Sequence, residues 1–295
     1  MDYRDKVFLI VAENLSFSKA ASELFISQPA VTKHIKELER KLEISVFERK
    51  GNRIYLTKAG KLAYSNLKKI EQLYQNMEFE IGRLNDTFKG ELTLAASSTI
   101  SNYILPKMMA SFHKRYPKIQ LDLISGNSFK VEQALMNNEV NVGLLENDTV
   151  HSDLKYSKFM DDELLVVTGV NSIYAKRKQI SLSEFKEIPL VLREKGSGTL
   201  EVVMTKLKEA GVLVEELNTL IHLGSTEAIK SFLHDFDGIA IVSEQSVLNE
   251  LHQNRIIRLN VKGLIINREL RVVMRHGYEN KLASMFINFV NQYNF

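Results

Sequence analysis

The segment 27–35, Ser-Gln-Pro-Ala-Val-Thr-Lys-His-Ile, constrains the fold of this 295-residue chain more than any other stretch. Ser27 suits an N-cap, because its hydroxyl oxygen can accept a bond from an unpaired backbone N–H of a first helical turn. Pro29 fits that turn, where its missing N–H costs nothing. Apolar residues then recur at helical spacing and can face a core: Val31, Ile35, Leu38 and Leu42. Polar residues occupy the other faces: Gln28, Thr32, Lys33 and Lys36.

A second helical pattern lies just upstream, at 18–25, and contains the small pair Ala20-Ala21. Small residues let two helices cross closely. Together with a first helix near 3–14 and the helix predicted at 28–42, this pattern indicates a helix-turn-helix whose second helix presents polar side chains to DNA. Short amphipathic helix pairs are also common in other helical proteins.

The distribution of charge favours the DNA-binding interpretation. Residues 1–90 contain 16 Lys and Arg against 12 Asp and Glu, whereas the whole chain has 39 against 36. Within residues 28–69 the counts are 11 and 4, a net charge of +7. Neutralisation of DNA phosphates needs such a local excess of positive charge.

Composition excludes several other classes of protein. The chain has no cysteine, which rules out disulfides, Cys-based zinc sites and a Cys nucleophile. The apolar run 7–12 is too short for a signal-peptide core, and no segment reaches 18 uninterrupted apolar residues. We therefore expect a cytoplasmic, nucleoid-associated protein with no membrane partner.

Residues 46–56 read as a β-hairpin, since two apolar stretches flank a basic tip that contains a Gly-Asn turn signal. Arg49, Lys50 and Arg53 lie where the wing of a winged helix would contact the phosphate backbone. The alternative is a hairpin tip that only faces solvent.

A long helix is predicted from Thr57 to about Arg83. Its apolar residues alternate at spacings of four and three, a heptad seam: Ala63, Leu67, Ile70, Tyr74, Met77, Ile81 and Leu84. This narrow seam favours a coiled-coil dimer, which would place two recognition helices about 34 Å, or a multiple of that distance, apart on a palindrome. The alternative is a helix that packs on its own domain.

After residue 90 the pattern changes to short β-rich runs alternating with helices, which predicts parallel sheets covered by helices, in two lobes. The predicted strands are 91–96, 120–124, 142–145, 163–168, 190–192, 219–222, 238–242, 256–259 and 269–274. The predicted helices are 101–115, 130–138, 200–210 and 227–235.

Three predicted strand-to-helix junctions carry hydroxyl side chains, at 95–99, 193–199 and 223–226. Hydroxyls and backbone N–H groups at a helix start form an anion site. They are also ordinary helix caps. Arg193 and Lys195 flank one junction, and this combination favours a small anion as a ligand of the region.

The chain resembles the LysR-type transcriptional regulators over its full length, most strongly at 17–39 and also at 46–49 and 56–60. The resemblance implies an N-terminal winged helix-turn-helix (1–58), a dimerising linker helix (59–88) and an effector-binding domain (89–295) similar to periplasmic binding proteins. That domain would have two α/β lobes, one formed by 89–161 and 267–295 and the other by 162–266, with crossings near 160–163 and 264–268. The run at 193–199 is similar to members that regulate carbon fixation or sulfur assimilation.

Carried over residue by residue, the resemblance assigns DNA contacts and effector contacts. The DNA-binding residues are Ser27, Gln28, Pro29, Thr32, Lys33, Lys36, Arg49 and Arg53. The effector-binding residues are Ser97, Ser98, Thr99, Ser128, Ser197, Thr199 and Thr226. The implied partners are operator DNA, a second copy of the chain in a dimer or a dimer of dimers, RNA polymerase, and a small anionic effector. No cofactor or metal is expected.

Two other classes of function compete with this assignment. An enzyme is disfavoured, because Gly-x-Ser-x-Gly and His-Glu-x-x-His are absent. Ser-x-x-Lys occurs several times, including 16–19 and 65–68 on predicted DNA-domain helices, and chance explains such short matches. A solute-binding protein would share the C-terminal region. Salt-sensitive DNA affinity would distinguish the full chain from it.

Overall fold

The structure is a computed structural model that describes residues 1–51, 53–84, 88–277 and 280–293. The chain forms two compact units, Met1–Thr87 and Phe88–Phe295. None of the described helices is long and apolar enough to cross a membrane.

The N-terminal unit contains four helices and one hairpin among its described residues. The elements are α1 (Tyr3–Asn14), α2 (Phe17–Glu23), α3 (Gln28–Leu42), β1 (Phe47–Lys50), β2 (Arg53–Leu56) and α4 (Lys58–Leu84). The side chains of Asp2, Ser16 and Ser27 each accept a bond from a backbone N–H of the helix that follows. These caps set where the three helices begin, because each supplies a partner for a first-turn donor.

The helix-turn-helix prediction is confirmed, with α1 and α3 at the predicted residues. Ala20 of α2 and Val31 of α3 are completely buried in a core shared with Phe8 of α1. Helix α2 ends two residues earlier than predicted. The chain turns after it, and Phe25 takes a positive φ of 55°.

The hairpin formed by β1 and β2 confirms the predicted wing up to its tip, where Asn52 lies outside the described residues. Glu39 of α3 holds the base of the hairpin, since one carboxylate oxygen accepts the Val46 N–H at 2.8 Å. Thr57 ties the other end to α4. Its hydroxyl donates to the Ser45 carbonyl at 2.8 Å and accepts the Gly60 N–H at 3.0 Å.

The heptad seam of α4 divides into two parts. Ala63 and Leu67 pack against the core of the N-terminal unit. At these two positions the alternative prediction, a helix packed on its own domain, is therefore correct. The later members Ile70, Tyr74, Met77 and Ile81 are 40–53% exposed. The prediction that the whole seam faces a partner helix is therefore wrong at the N-terminal end of α4. The side chain of Leu84 lies outside the described part of the chain.

The C-terminal unit is built from strands and helices in alternation. Its strands are β3 (Gly90–Ser97), β4 (Ile119–Gly126), β5 (Val142–Leu145), β6 (Leu154–Gly169), β7 (Gln179–Ile180), β8 (Leu190–Arg193), β9 (Thr219–Leu223), β10 (Ile239–Ser243), β11 (Ile256–Arg258), β12 (Asn260–Val261) and β13 (Ile266–Arg275). Its α-helices are α5 (Leu105–Arg115), α6 (Ser128–Met136), α7 (Leu182–Glu187), α8 (Gly198–Glu209), α9 (Thr226–Leu233), α10 (Glu244–His252) and α11 (Lys281–Asn291).

Several of these features differ from the sequence-based prediction. The helix predicted at 101–115 consists of a π-helical turn, Ile100–Ile104, followed by α5. Strands β6 and β13 are longer than predicted. Helix α7 was not predicted, although Ser181 and Glu184 form a capping box at its start. Helix α10 was also missed, since it follows β10 with no intervening turn.

The sheet is mixed, which corrects the prediction of purely parallel sheets. Its strand order is β4-β3-β5-β13-β6-β10-β8-β9, with β11 paired to β6. The pairs β3–β4, β3–β5, β8–β9 and β8–β10 are parallel. The long strands β6 and β13 run antiparallel to each other from Leu154–Arg275 to Leu164–Ile266. These two strands join the parallel group around β3 to the one around β8.

Separate hydrophobic clusters cover the two parallel groups. Val131 and Leu135 of α6 pack with residues of β3 and β5. Val202 of α8 packs with residues of β8 and β10, and Ile229 of α9 covers another face of the same strands. The final helix α11 returns to the first group, where the ring of Phe286 lies 5.1 Å from that of Phe112 of α5.

Candidate functional sites

The exposed face of α3 carries most of the predicted DNA contacts. Gln28, Pro29, Lys33 and Lys36 are exposed, whereas Val31, Ile35 and Leu38 of the same helix are buried. A shallow surface hollow along α3 is lined by Pro29, Thr32, Lys33, Lys36, Glu37 and Arg40. The helix therefore offers amide and ammonium donors together, which suits base edges and phosphates.

Two residues of the α3 region have special roles. The hydroxyl of Ser27 accepts the Ala30 N–H at 3.3 Å, so Ser27 caps the helix. The Thr32 hydroxyl donates to the Gln28 carbonyl at 3.0 Å. Because that proton is engaged within the helix, the methyl group of Thr32 is the part best suited to contact a thymine methyl group.

Phe25 was missed by the sequence analysis. It lies in the turn between α2 and α3 with 95% of its surface exposed. Single exposed apolar side chains are common on protein surfaces, so the exposure of Phe25 alone assigns it no function.

The hairpin presents both predicted arginines to solvent. Arg49 lies opposite Ile54 and Lys50 lies opposite Arg53 in the strand register, and all three basic residues are exposed. Lys50 also lies 2.9 Å from the Glu48 carboxylate. Arg49 and Arg53 are thus the cations of this wing best placed to reach a phosphate.

In the C-terminal unit, Arg193 gathers two of the predicted effector residues. Its Nη2 donates to the Ser98 hydroxyl at 3.0 Å and its Nη1 donates to the Thr226 hydroxyl at 3.3 Å. Nε donates to the Glu194 carboxylate at 2.8 Å. Arg193 itself is only 2% exposed. The guanidinium therefore links the ends of β3 and β8 with the start of α9.

A second buried arginine organises the start of α8. Arg268 Nε donates to Asp162 at 2.7 Å, and its Nη1 donates to the Thr199 hydroxyl at 2.9 Å. Thr199 in turn donates to Glu146 Oε1 at 3.3 Å. The side chains of Arg268, Asp162 and Glu146 are at most 2% exposed. Buried charges of this kind need partners, and here each has one.

The first residues of α6 and α8 approach each other closely at Gly198. A Cβ atom at Gly198 would lie 2.5 Å from the Ser128 hydroxyl oxygen and 2.9 Å from the Asn147 backbone nitrogen. Glycine is required there because any side chain would collide with both. The contact brings Ser128 beside Ser197 and Thr199, which flank Gly198 in the sequence.

Three of the seven predicted effector residues have hydroxyls that are buried without a hydrogen-bond partner: Ser97, Ser128 and Ser197. Each of these residues is at most 3% exposed. Thr99 is buried at the start of the π-helical turn. Buried polar groups are usually paired, so the three open hydroxyls make this region a candidate site for a polar ligand.

Contacts on either side of this site connect the two parallel groups of strands. Tyr103 donates to the Glu227 carboxylate, and the Lys230 ammonium lies 4.9 Å from the centre of the Tyr103 ring. Burial and the bond to Glu227 raise the pKa of Tyr103, so the phenol keeps its proton. On another side, Thr149 donates to Glu201 of α8.

A neighbouring buried carboxylate, Glu132 of α6, fixes the orientation of Asn147. Its Oε1 accepts from the Asn147 amide at 3.2 Å and from the Tyr156 hydroxyl at 3.0 Å. Burial and the Glu132 charge raise the pKa of Tyr156 to about 12, which keeps it a donor at neutral pH.

The sequence analysis named Arg193 beside a junction, but its assigned effector contacts were all hydroxyl residues and left out Arg193, Glu146, Asp162 and Arg268. Arg193 and Glu146 each stand at the end of a buried strand, a position that was the available signal. Asp162 and Arg268 lie inside long strands and gave none. Among the described residues, no group of three or more His, Cys, Asp or Glu could hold a metal ion.

The two units match the two domain models of one family. Residues 6–61 match the model described as "Bacterial regulatory helix-turn-helix protein, lysR family". Residues 85–294 match "LysR substrate binding domain". The chain belongs to the LysR family of transcriptional regulators. It is accordingly a DNA-binding regulator and not an enzyme.

Several LysR proteins resemble the chain along most of its length. The regulator CysL of Bacillus subtilis (strain 168) is 32% identical over 283 residues, covering 96% of this chain and 94% of CysL. The RuBisCO operon transcriptional regulator of Allochromatium vinosum is 32% identical over 286 residues, covering 97% and 93%. The regulatory domain of Synechocystis PCC6803 CcmR in complex with 2-PG has a TM-score of 0.63 at 25% identity, covering 69% of this chain and 96% of that domain.

The close approach at Gly198 leads to a first prediction. Gly198→Ala should lower the free energy of unfolding of the C-terminal unit by about 1–3 kcal/mol, because the ends of α6 and α8 must separate. Urea denaturation followed by far-UV circular dichroism measures this. Gly224→Ala is the matched control, since a Cβ there meets nothing within 4 Å. Equal effects of the two substitutions would contradict the steric argument.

Proposed function

We propose that this LysR regulator reads an operator with α3 and the wing and that a small ligand in residues 89–295 controls its action at a promoter. The observation that carries the proposal is the set of buried hydroxyls without partners, Ser97, Ser128 and Ser197, beside two helix starts. Residues 1–58 would form the DNA-reading domain and 59–88 the linker helix. We further propose that it acts in the cytoplasm on nucleoid DNA.

DNA reading is divided between α3 and the wing. Gln28 can pair bidentately with adenine, and Lys33 can donate to guanine O6 and N7. Pro29, Thr32 and Lys36 lie on the same helix, and together with its cap Ser27 they complete the contact surface. Arg49 and Arg53 contact phosphates, which fixes register and adds affinity without sequence preference.

Two substitutions separate these roles. Gln28→Ala should weaken binding to the operator by about 1–3 kcal/mol and leave binding to random DNA unchanged, because one base-specific pair is lost. Arg53→Ala should weaken binding to both DNAs and reduce the salt slope by about 1, since one phosphate contact is lost. Fluorescence anisotropy titrations at several salt concentrations measure both. If Gln28→Ala weakened binding to random DNA as much as binding to the operator, Gln28 would not read a base.

The exposed part of the α4 seam supports a dimer. Ile70, Tyr74, Met77 and Ile81 form an apolar stripe at heptad spacing that the described part of the N-terminal unit leaves exposed. A second copy of α4 can cover it by knobs-into-holes packing. Two such dimers would make the dimer of dimers expected for the family.

A charge placed in the stripe tests this interface. Met77→Asp should shift the protein toward the monomer in sedimentation velocity, because a carboxylate would be buried against the partner helix. Lys69→Asp, at an exposed position off the seam, should leave the oligomeric state unchanged. A Met77→Asp protein that sediments like the wild type would place the dimer interface elsewhere.

The ligand site supports a small anion as effector. Hydroxyls of Ser98, Ser197 and Thr226 stand at or beside helix starts, where backbone N–H groups and the helix dipole favour negative charge. The buried guanidinium of Arg193 holds the Ser98 and Thr226 hydroxyls in place, while its charge is paired with Glu194. That a related regulatory domain, that of CcmR, binds 2-PG supports a small-molecule effector here.

In this mechanism the ligand changes the relative orientation of two lobes. One lobe is formed by 89–161 and 267–295, and the other by 162–266. Residues of both lobes meet at the site, since Arg193 contacts Ser98 and Thr199 contacts Glu146. A change there would alter the spacing of the DNA-reading heads and the bend of the DNA. Bending by tens of degrees costs a few kcal/mol, so modest ligand coupling is sufficient to change RNA polymerase recruitment.

The combination of Thr199→Val and Ser97→Ala tests the ligand site. The response of DNA binding or transcription to the inducer should fall, because two hydroxyls are lost. Affinity for the operator without inducer should stay near that of the wild type. Operator titrations with and without inducer measure both quantities. An equal collapse of DNA binding in the two states would contradict the assignment.

A further inference from the structure

We propose that the ligand of this site is a small α-amino or α-hydroxy acid, whose ammonium or hydroxyl group donates a hydrogen bond to the Glu146 carboxylate. The inference rests on the proposed function of the site as an effector site. It adds a hydrogen-bond donor, next to the anionic group, to the required ligand chemistry.

The hydrogen-bond inventory of the site shows a deficit of donors. The buried atoms without a hydrogen-bond partner include two acceptors, Glu146 Oε2 and Asn147 Oδ1, and one donor, Arg268 Nη2. Arg268 Nη2 lies 2.7 Å from the Asp162 carboxylate, so that donor is already compensated by an opposite charge. A carboxylate oxygen and an amide oxygen can only accept. The open hydroxyls of Ser128 and Ser197 can donate or accept. A ligand made only of acceptors would therefore satisfy the hydroxyls and leave Glu146 and Asn147 unpaired.

The orientation of the Asn147 amide is fixed by its neighbour. Its nitrogen faces Glu132 Oε1 at 3.2 Å, and a carboxylate oxygen accepts only from a donor. Rotation of the amide would place two oxygens against each other. The amide oxygen of Asn147 is thus left as an acceptor on the other side of the amide.

The two oxygens of Glu146 differ in the same way. Oε1 accepts from the Thr199 hydroxyl at 3.3 Å and lies 3.6 Å from Arg268 Nη1. Arg268 is itself held by Asp162 through Nε. Oε2 has no hydrogen-bond partner, although Glu146 is only 1% exposed. A buried carboxylate oxygen left unpaired is costly, so a ligand donor directed at Oε2 would be strongly favoured.

The donor must lie close to the anionic group of the ligand. A Cβ atom at Gly198 would lie 2.5 Å from the Ser128 hydroxyl oxygen and 3.0 Å from Glu146 Cγ. An anion bound by the Ser128 and Ser197 hydroxyls at these helix starts would therefore lie near the Glu146 carboxylate and be repelled. An ammonium or hydroxyl group on the adjacent carbon of the ligand relieves that repulsion, which is the arrangement of an α-amino or α-hydroxy acid.

The charges of the site agree with this ligand class. Arg193 and Arg268 are buried cations, and Glu146, Asp162 and Glu132 are buried anions. Each arginine already contacts a carboxylate. The buried side chains therefore hold no excess positive charge for a donor-free, multiply charged anion.

Two matched sets of three-carbon acids test the proposal on the full-length protein by isothermal titration calorimetry. The first is alanine, lactate and propionate. The second is O-phosphoserine, 3-phosphoglycerate and 3-phosphooxypropanoate. Within each set only the substituent on the carbon next to the carboxylate changes, from ammonium to hydroxyl to hydrogen. In at least one set, the amino or the hydroxy acid should bind at least about tenfold more tightly than the acid without a donor.

Glu146→Gln tests which residue receives the donor. Glutamine keeps the size of the side chain and an oxygen for Thr199, but it removes the charge. The preference for the donor-bearing acid should fall to within about threefold in this variant. Glu209→Gln, an exposed carboxylate paired with Lys206, should keep the wild-type preference. Circular dichroism melts of both variants check folding, and the wild-type comparison stands without either variant.

The outcomes separate the two levels of the proposal. Equal binding of the donor-free acid by the wild type, or a preference that survives in Glu146→Gln, would overturn the donor inference and leave an anion site. If the amino acid binds and the hydroxy acid does not, the donor is an ammonium group; equal binding of both identifies a neutral donor as sufficient. If no acid of either set binds, both the proposed effector site for such acids and the donor inference are contradicted.

Discussion

The ion pair between Arg268 and Asp162 is the interaction on which the C-terminal unit most depends. The two residues face each other across β13 and β6, and both side chains are completely buried. Loss of one partner from such a pair is expected to cost about 3–5 kcal/mol, because the other charge stays buried without compensation. The same guanidinium reaches Thr199, and the Ser243 hydroxyl donates to Asp162 at 2.8 Å. One pair of charges thus joins the crossing strands to the starts of α8 and α10.

This arrangement explains how a site of small hydroxyl side chains is held in place. Serine and threonine have little apolar surface to anchor them, so their positions depend on the strand ends and helix starts that carry them. Arg193 fixes Ser98 and Thr226, and Arg268 fixes Thr199. Ser97, Ser128 and Ser197 stay without partners beside this rigid frame. Preorganised groups of this kind lose little conformational entropy when a ligand arrives.

The sequence was most informative where local rules decide the structure. Helix α3 begins and ends where Ser27, Pro29 and the apolar spacing predict, since caps and periodicity act over a few residues. The tight approach of Ser128 to Gly198 depends on residues 70 positions apart, so spacing along the chain could not reveal it. The pairing of β6 with β13 is still more distant in sequence, since Asp162 and Arg268 are 106 positions apart, and it turns the expected parallel sheets into a mixed sheet. The charged residues Asp162 and Arg268 were missed for the same reason.

The divided packing of α4 has a mechanical consequence. Ala63 and Leu67 bind the first turns of the helix to the core of the N-terminal unit, whereas the stripe from Ile70 to Ile81 projects beyond it. The 27 residues of α4 span about 40 Å. Because Ala63 and Leu67 fix α4 to the same core as α3, a surface that binds the exposed stripe also constrains the orientation of the recognition helix.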